Sequence, residues 1–240
     1  MVQTTRAIVL RAIKHGDKST VLRAYTERFG LRSYMVRSAG KGTARSAALQ
    51  PLSRVELVVP EAGEHELRTV RELRIDRPYT RLQQEPVRGV LMLFAQEVFN
   101  RTLREESEDA QLYGFLQETL ENMDTGSDMT HQPLLLLVGL SRHLGFFPEI
   151  PDAGEHRFDL REGYFFHGQA PHEFCMEPAQ VDLFAELIGR IEAPGETVTL
   201  LRTSAEVRRR LLEDLLIYYR LHVAGFGELR SLDVLRAVLE

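Results

Sequence analysis

The chain has 240 residues, 43% of them hydrophobic, a net charge of -5 and one cysteine, Cys175. That length holds one large domain or two modest ones around a real core. A single cysteine excludes an internal disulfide and a multi-cysteine zinc site.

The charge is unevenly spread. The first 54 residues carry eleven Lys or Arg against Asp17 and Glu27, a net +9 that leaves -14 for the rest. One end attracts a polyanion and the remainder repels it, which points to nucleic acid. The amino-terminal stretch lacks the apolar run and cleavage pattern of a signal peptide. The longest apolar stretch, residues 133–140, falls short of the roughly 20 residues a membrane span requires. The expected location is the cytoplasm.

In chain order, residues 4–76 alternate with a period of two in five short runs. Ile8, Leu10 and Ala12 oppose Val9, Arg11 and Ile13; Val21, Arg23 and Tyr25 oppose Leu22, Ala24 and Thr26; Arg32, Tyr34 and Val36 oppose Leu31, Ser33 and Met35. The fourth run sets Val55, Leu57 and Val59 against Arg54, Glu56 and Val58, and the fifth sets Leu67, Thr69, Arg71 and Leu73 against Arg68, Val70 and Glu72. Such runs read as half-buried strands. His15-Gly16-Asp17, Phe29-Gly30 and Ala62-Gly63 supply turns. Residues 38–45 read as a small-residue loop carrying Lys41 and Arg45. Five short strands in about 75 residues predict a closed barrel, since closure removes sheet edges. An oligonucleotide-binding barrel is the expected fold, with an open SH3-like barrel as the rival.

After Pro78 the period becomes 3.6. Val87, Val90, Leu91, Phe94 and Val98 share one helical face; Leu112, Phe115, Leu116 and Leu120 share a second; Leu134, Leu135, Leu137, Val138 and Leu144 belong to a third, mostly buried helix. Gly145 is positioned to cap that helix in a left-handed conformation, and Pro148 prevents its return. Residues 158–166 predict a hairpin turning at Glu162-Gly163. A fourth helix spans about 178–191. A fifth opens on the capping-box pattern Thr203-Ser204-Ala205-Glu206, and a short last helix follows Arg230. The expected organisation is α+β: a five-stranded barrel over 1–78, then a helical domain over 79–240 with a hairpin insertion near 149–177.

Arg23, Arg32, Arg37, Lys41 and Arg45 are the candidate phosphate contacts, because cations along strands and a loop can track a nucleic-acid backbone. Tyr25 and Tyr34 are the candidate stacking faces. Arg142 and His143 sit in the last turn of the third helix, where cations suit the helix dipole. His167, His172 and Cys175 lie close in sequence, but their spacing matches no zinc motif, and the plain reading is a hairpin with incidental histidines. Neither a phosphate-cradling glycine loop nor a nucleophile elbow is present. No cofactor, metal or enzyme activity is expected.

The strand from Thr5 to Leu10, the run Tyr25-Thr26-Glu27-Arg28-Phe29-Gly30-Leu31, the basic loop, Leu49-Gln50-Pro51-Leu52 and the segment 140–148 together resemble the RecO family of bacterial recombination mediators. The resemblance implies an oligonucleotide-binding barrel and a helical domain. It implies binding of single- and double-stranded DNA, strand annealing, and a role in loading RecA onto DNA coated by single-strand-binding protein. The implied partners are RecR and the acidic C-terminal tail of the coat protein, in the bacterial cytoplasm with the nucleoid. An apolar pocket rimmed by Arg101, Arg104, Arg142 and His143 would receive that tail. Many members carry a four-cysteine zinc module where this chain has Cys175 alone, so a metal-free member is expected. The competing readings are a DNA-binding regulator with a helical sensor or dimerisation domain, a metal-dependent enzyme, and an RNA-binding barrel.

Overall fold

The structure, a computed structural model, describes residues 2–16, 18–37, 43–60, 67–82, 84–104, 108–193 and 203–239, with Thr43, Ala44, Arg45 and Leu239 by backbone alone. The chain forms two compact units, Met1–Thr125 and Gly126–Glu240.

In the first unit, β1 (Val2–Lys14), β2 (Ser19–Thr26), β3 (Gly30–Arg37), β4 (Arg54–Pro60), β5 (Arg68–Val70) and β6 (Glu72–Arg77) make one sheet in the order β5-β3-β2-β1-β4-β6. The two edge segments are consecutive in the chain. β5 pairs parallel with β3, β6 pairs antiparallel with β4, and Arg71 between them donates its N–H to Val58 O. This segment therefore joins both edges and curls the sheet into the expected oligonucleotide-binding type of barrel. The fifth run of the sequence is two strands because it changes neighbour at Arg71. Ala7, Val9, Leu22, Ala24, Tyr34, Val36, Val55, Leu57, Val59 and Val70 fill the interior. The last part of the basic loop is not loop: Thr43–Ala48 is a short helix, α1, whose Ala48 is buried in the barrel core.

Two further helices belong to this unit, α2 (Pro86–Thr102) and α3 (Ala110–Thr125). Gln96 and Asn100 on α2 donate to Leu10 O on β1. Leu93, grouped by sequence beside the apolar face of α2, is exposed, and Arg88 is buried instead, paired with Glu85 and bonded to Met123 O. Arg54, 1% exposed, reaches out of β4 to Glu121 on α3 and lies 4.4 Å over the ring of Tyr79.

The second unit holds α4 (Gln132–Leu144), α5 (Pro178–Glu192), α6 (Ala205–His222), α7 (Leu232–Leu239) and a three-stranded sheet, β8-β7-β9, formed by β7 (Arg157–Asp159), β8 (Tyr164–Phe166) and β9 (Cys175–Met176). Gly145 caps α4 at φ +84, and Phe146 folds back onto Tyr218, Tyr219 and His222. Ser204, and not Thr203, caps α6 by accepting the N–H of Val207; Glu206 turns instead to Arg209 and Arg210. The hairpin turns at Gly163 as its sequence implies, and Phe158 seats it against Phe184 and Tyr218. β9 had no alternating signature, being two residues long. Among the described residues, no helix is long and apolar enough to cross a membrane.

Candidate nucleic-acid interface

The outward face of β1–β3 is built by a shift of register. Ala7 and Val9 point into the barrel, but the pairing slips between Val9 and Arg11, so that Leu10 is an extra residue. Beyond this bulge Arg11 and Ile13 face outward and Ala12 inward. The plain alternation that placed Val9, Arg11 and Ile13 on one face is broken there.

Strand pairing then fixes what surrounds Arg11. It stands opposite Arg23 on β2, which stands opposite Ser33 on β3. The next outward row is Ile13, Val21 and Met35, and beyond it Ser19 faces Arg37. The surface is thus a pair of cations, an apolar strip in which Ile13 is 48% exposed, and a further cation at the strand end. Neighbouring strands lie about 4.8 Å apart, so the two guanidinium stems start close together. Like charges opposite one another repel by about 1 kcal/mol even in water.

Some cations of the barrel are neutralised. Arg6 pairs with Glu27, and Arg74 with Glu56. Arg11, Arg23 and Arg37 form no ion pair with a described residue, and the Nε of Arg23 is buried without a hydrogen-bond partner among the described residues. Three cations around an apolar strip suit a phosphodiester chain with its bases laid on the strip.

The other sequence candidates fall in different places. Arg32 lies opposite Ala24, on the inward side of β3 near the barrel end, and not on this face. Lys41 lies outside the described residues, and Arg45 is placed by its backbone in α1. Tyr34 is wholly buried in the barrel core and Tyr25 is 3% exposed, so neither offers a stacking face. Arg11 was missed because its direction depends on the bulge; the like-charged cross-strand pair becomes visible with the register.

Two family models divide the chain between them. "Recombination protein O N terminal" matches residues 1–79, and "Recombination protein O C terminal" matches 83–233. The chain belongs to the recombination protein O family. Relatives named DNA repair protein RecO agree over the full length: that of Bacteroides fragilis is 31% identical over 100% of both chains, and that of Christiangramia forsetii is 29% identical over 99% of both.

For a RecO chain, the hairpin of the second unit raises the question of zinc. Asp159, His172 and Cys175 come together, with potential ligand atoms within 4.8 Å of one another. His167 does not join them; its Nδ1 lies 2.9 Å from Gly154 O. The cluster does not fit a four-cysteine centre. His172 Nε2 lies 3.1 Å from Asp159, while its Nδ1 accepts the N–H of Phe174 and faces the Cys175 sulfur at 3.6 Å. The other Asp159 oxygen accepts two backbone N–H groups, from Arg161 and Glu162. Burial pushes the Cys175 thiol up, away from the thiolate a metal requires. These donors are engaged with one another and fasten β9 to β7.

The residues expected to rim a tail pocket are spread over both units. In the first, Arg101 pairs with Glu97 and Arg104 lies exposed beyond α2. In the second, Arg142 lies 5.3 Å over Phe147, and His143 is half-buried beside it. Neither Arg142 nor His143 lines the apolar cavity of that unit. Pro133 and Leu134 of α4, Leu212 of α6 and Leu235 of α7 form its apolar wall. Arg208, Arg209 and Arg236 supply its cations. Arg208 and Arg209 sit near the N-terminal end of α6, where the helix dipole disfavours positive charge and favours a bound anion.

Proposed function

We propose that this chain is a recombination mediator. It binds single- and double-stranded DNA on the outward face of β1–β3, anneals complementary strands and, with RecR, helps RecA load onto DNA coated by single-strand-binding protein. The observation that carries the reading is the set Arg11, Arg23 and Arg37, unneutralised by any described acid, on an oligonucleotide-binding type of barrel in a recombination protein O chain. Phosphate neutralisation supplies the affinity and lowers the repulsion between two strands. Base pairing then supplies the free energy, so no nucleotide hydrolysis is involved. Arg32, Lys41 and Arg45 add to the positive charge of the same stretch of sequence.

The helical unit takes the acidic, apolar-ended tail of the coat protein. The cavity beside Arg208, Arg209 and Arg236 suits it better than Arg101, Arg104, Arg142 and His143, because it joins cations to an apolar wall. The setting is the bacterial cytoplasm with the nucleoid.

Annealing of complementary strands pre-coated with single-strand-binding protein tests the proposal, with tailless coat protein as control. Coated strands should anneal faster with this protein, and less so when the tail is missing. Annealing at the spontaneous rate would overturn it.

A further inference from the structure

The apolar cavity has one wall that is weakly seated. Among the described side chains of α7, Leu235 is the fully buried one at 1% exposure, while Val234 and Val238 stand 48% and 37% exposed. The helix carries more apolar surface than its seat covers. Its polar tie is Arg236, whose guanidinium bonds Glu213 of α6 at 2.6 Å. The Nε of Arg236 is buried and has no partner among the described residues, so the group is incompletely satisfied where it lines the cavity.

Glu213 itself lines the adjoining polar pocket with Arg209, Arg210 and Asp214, and from there it holds the Arg236 guanidinium that a carboxylate of an entering acidic peptide would seek. We propose that Glu213 is an internal competitor that clamps α7 through Arg236, and that an acidic, apolar-ended peptide binds by exchanging its own carboxylate for Glu213. α7 shifts as the apolar end enters beside Leu134, Leu212 and Leu235. Such exchange needs no large free energy: a partly exposed ion pair contributes about 1 kcal/mol or less, and the peptide supplies an equivalent pair while meeting the unpartnered Nε. The inference rests on the reading of the cavity as the tail site, and it adds that the site is held partly closed by the protein itself.

The test uses the full chain and a fluorescent synthetic peptide with three aspartates followed by a C-terminal leucine and phenylalanine. Glu213→Gln should bind this peptide about three- to fivefold more tightly than the unmodified protein, and its α7 amides should exchange hydrogen faster. Glu213→Asp, which keeps the charge, should fall between the two, and Arg236→Gln should bind more weakly. Measurable binding to the unmodified protein with equal or weaker binding to Glu213→Gln overturns the clamp but leaves the tail site standing. Absence of binding to the unmodified protein and to both Glu213 variants, each with unaltered circular dichroism, overturns the tail site and the clamp with it.

Discussion

Asp124, near the end of α3, accepts both the backbone N–H and the hydroxyl of Thr80, at 2.8 and 3.0 Å. Its other oxygen accepts the N–H groups of Arg81 and Leu82. One buried carboxylate thus binds the chain leaving the barrel to the helix that packs with it. Burial raises the pKa of this group, but the donors from Thr80, Arg81 and Leu82 outweigh burial and hold it below the ordinary value. A lowered folded pKa means that its stabilisation is complete above the unfolded pKa of about 4 and is lost as pH falls through the folded one. Asp124→Asn should cost about 3 kcal/mol at pH 7, since an amide nitrogen replaces an acceptor of N–H groups. The deficit should shrink toward acid pH in chemical denaturation. Equal stability of variant and parent at pH 7 would refute this role.

Asp214 behaves in the opposite sense. Burial, and next the charge of Glu213, push its carboxyl up to about 7. A folded pKa above the unfolded one penalises folding increasingly from about pH 4 to pH 7, and fully above that. Asp214→Asn should therefore raise Tm at pH 8 and change it little at pH 4. Thermal unfolding across that range would show the crossover, and a uniform shift at all pH values would contradict it.

Gly163 turns the hairpin at φ +77, and a Cβ there would meet the Tyr218 hydroxyl at 2.9 Å. That hydroxyl donates to Phe146 O, so it is not free to yield. Gly163→Ala should cost about 2 kcal/mol through backbone strain and displacement of Tyr218, lowering Tm by roughly 4–8 °C. An unchanged Tm would show that Tyr218 moves without cost.

The barrel was legible because most of its strands alternate: Val55, Leu57 and Val59 read inward in sequence and lie inward in the fold. The helices were legible from their apolar period, and Gly145 from its place after the last turn of α4. The binding face was less so. Composition identifies a basic segment, but which cations share a surface depends on the slip at Leu10 and on three strand registers, neither of which alternation encodes. Tyr25 and Tyr34 illustrate the same limit. An aromatic residue in a basic strand reads equally as platform or core, and burial decides for core. Arg54 and Arg88 are charged residues inside the unit, legible only once Glu121, Glu85 and Met123 are brought to them.

The outward face of β1–β3 is the centre of the account, and the salt dependence of single-stranded DNA affinity tests it most directly. Log affinity should fall linearly with log salt concentration. Replacing Arg11, Arg23 and Arg37 together by Gln should weaken binding at low salt and reduce the slope by about two, given roughly 0.7 per phosphate contact on a single strand. The Tm of the variant should be equal or higher, because the repulsion between Arg11 and Arg23 is relieved. A folded triple variant with the parent's affinity and slope would contradict the assignment of DNA to this face.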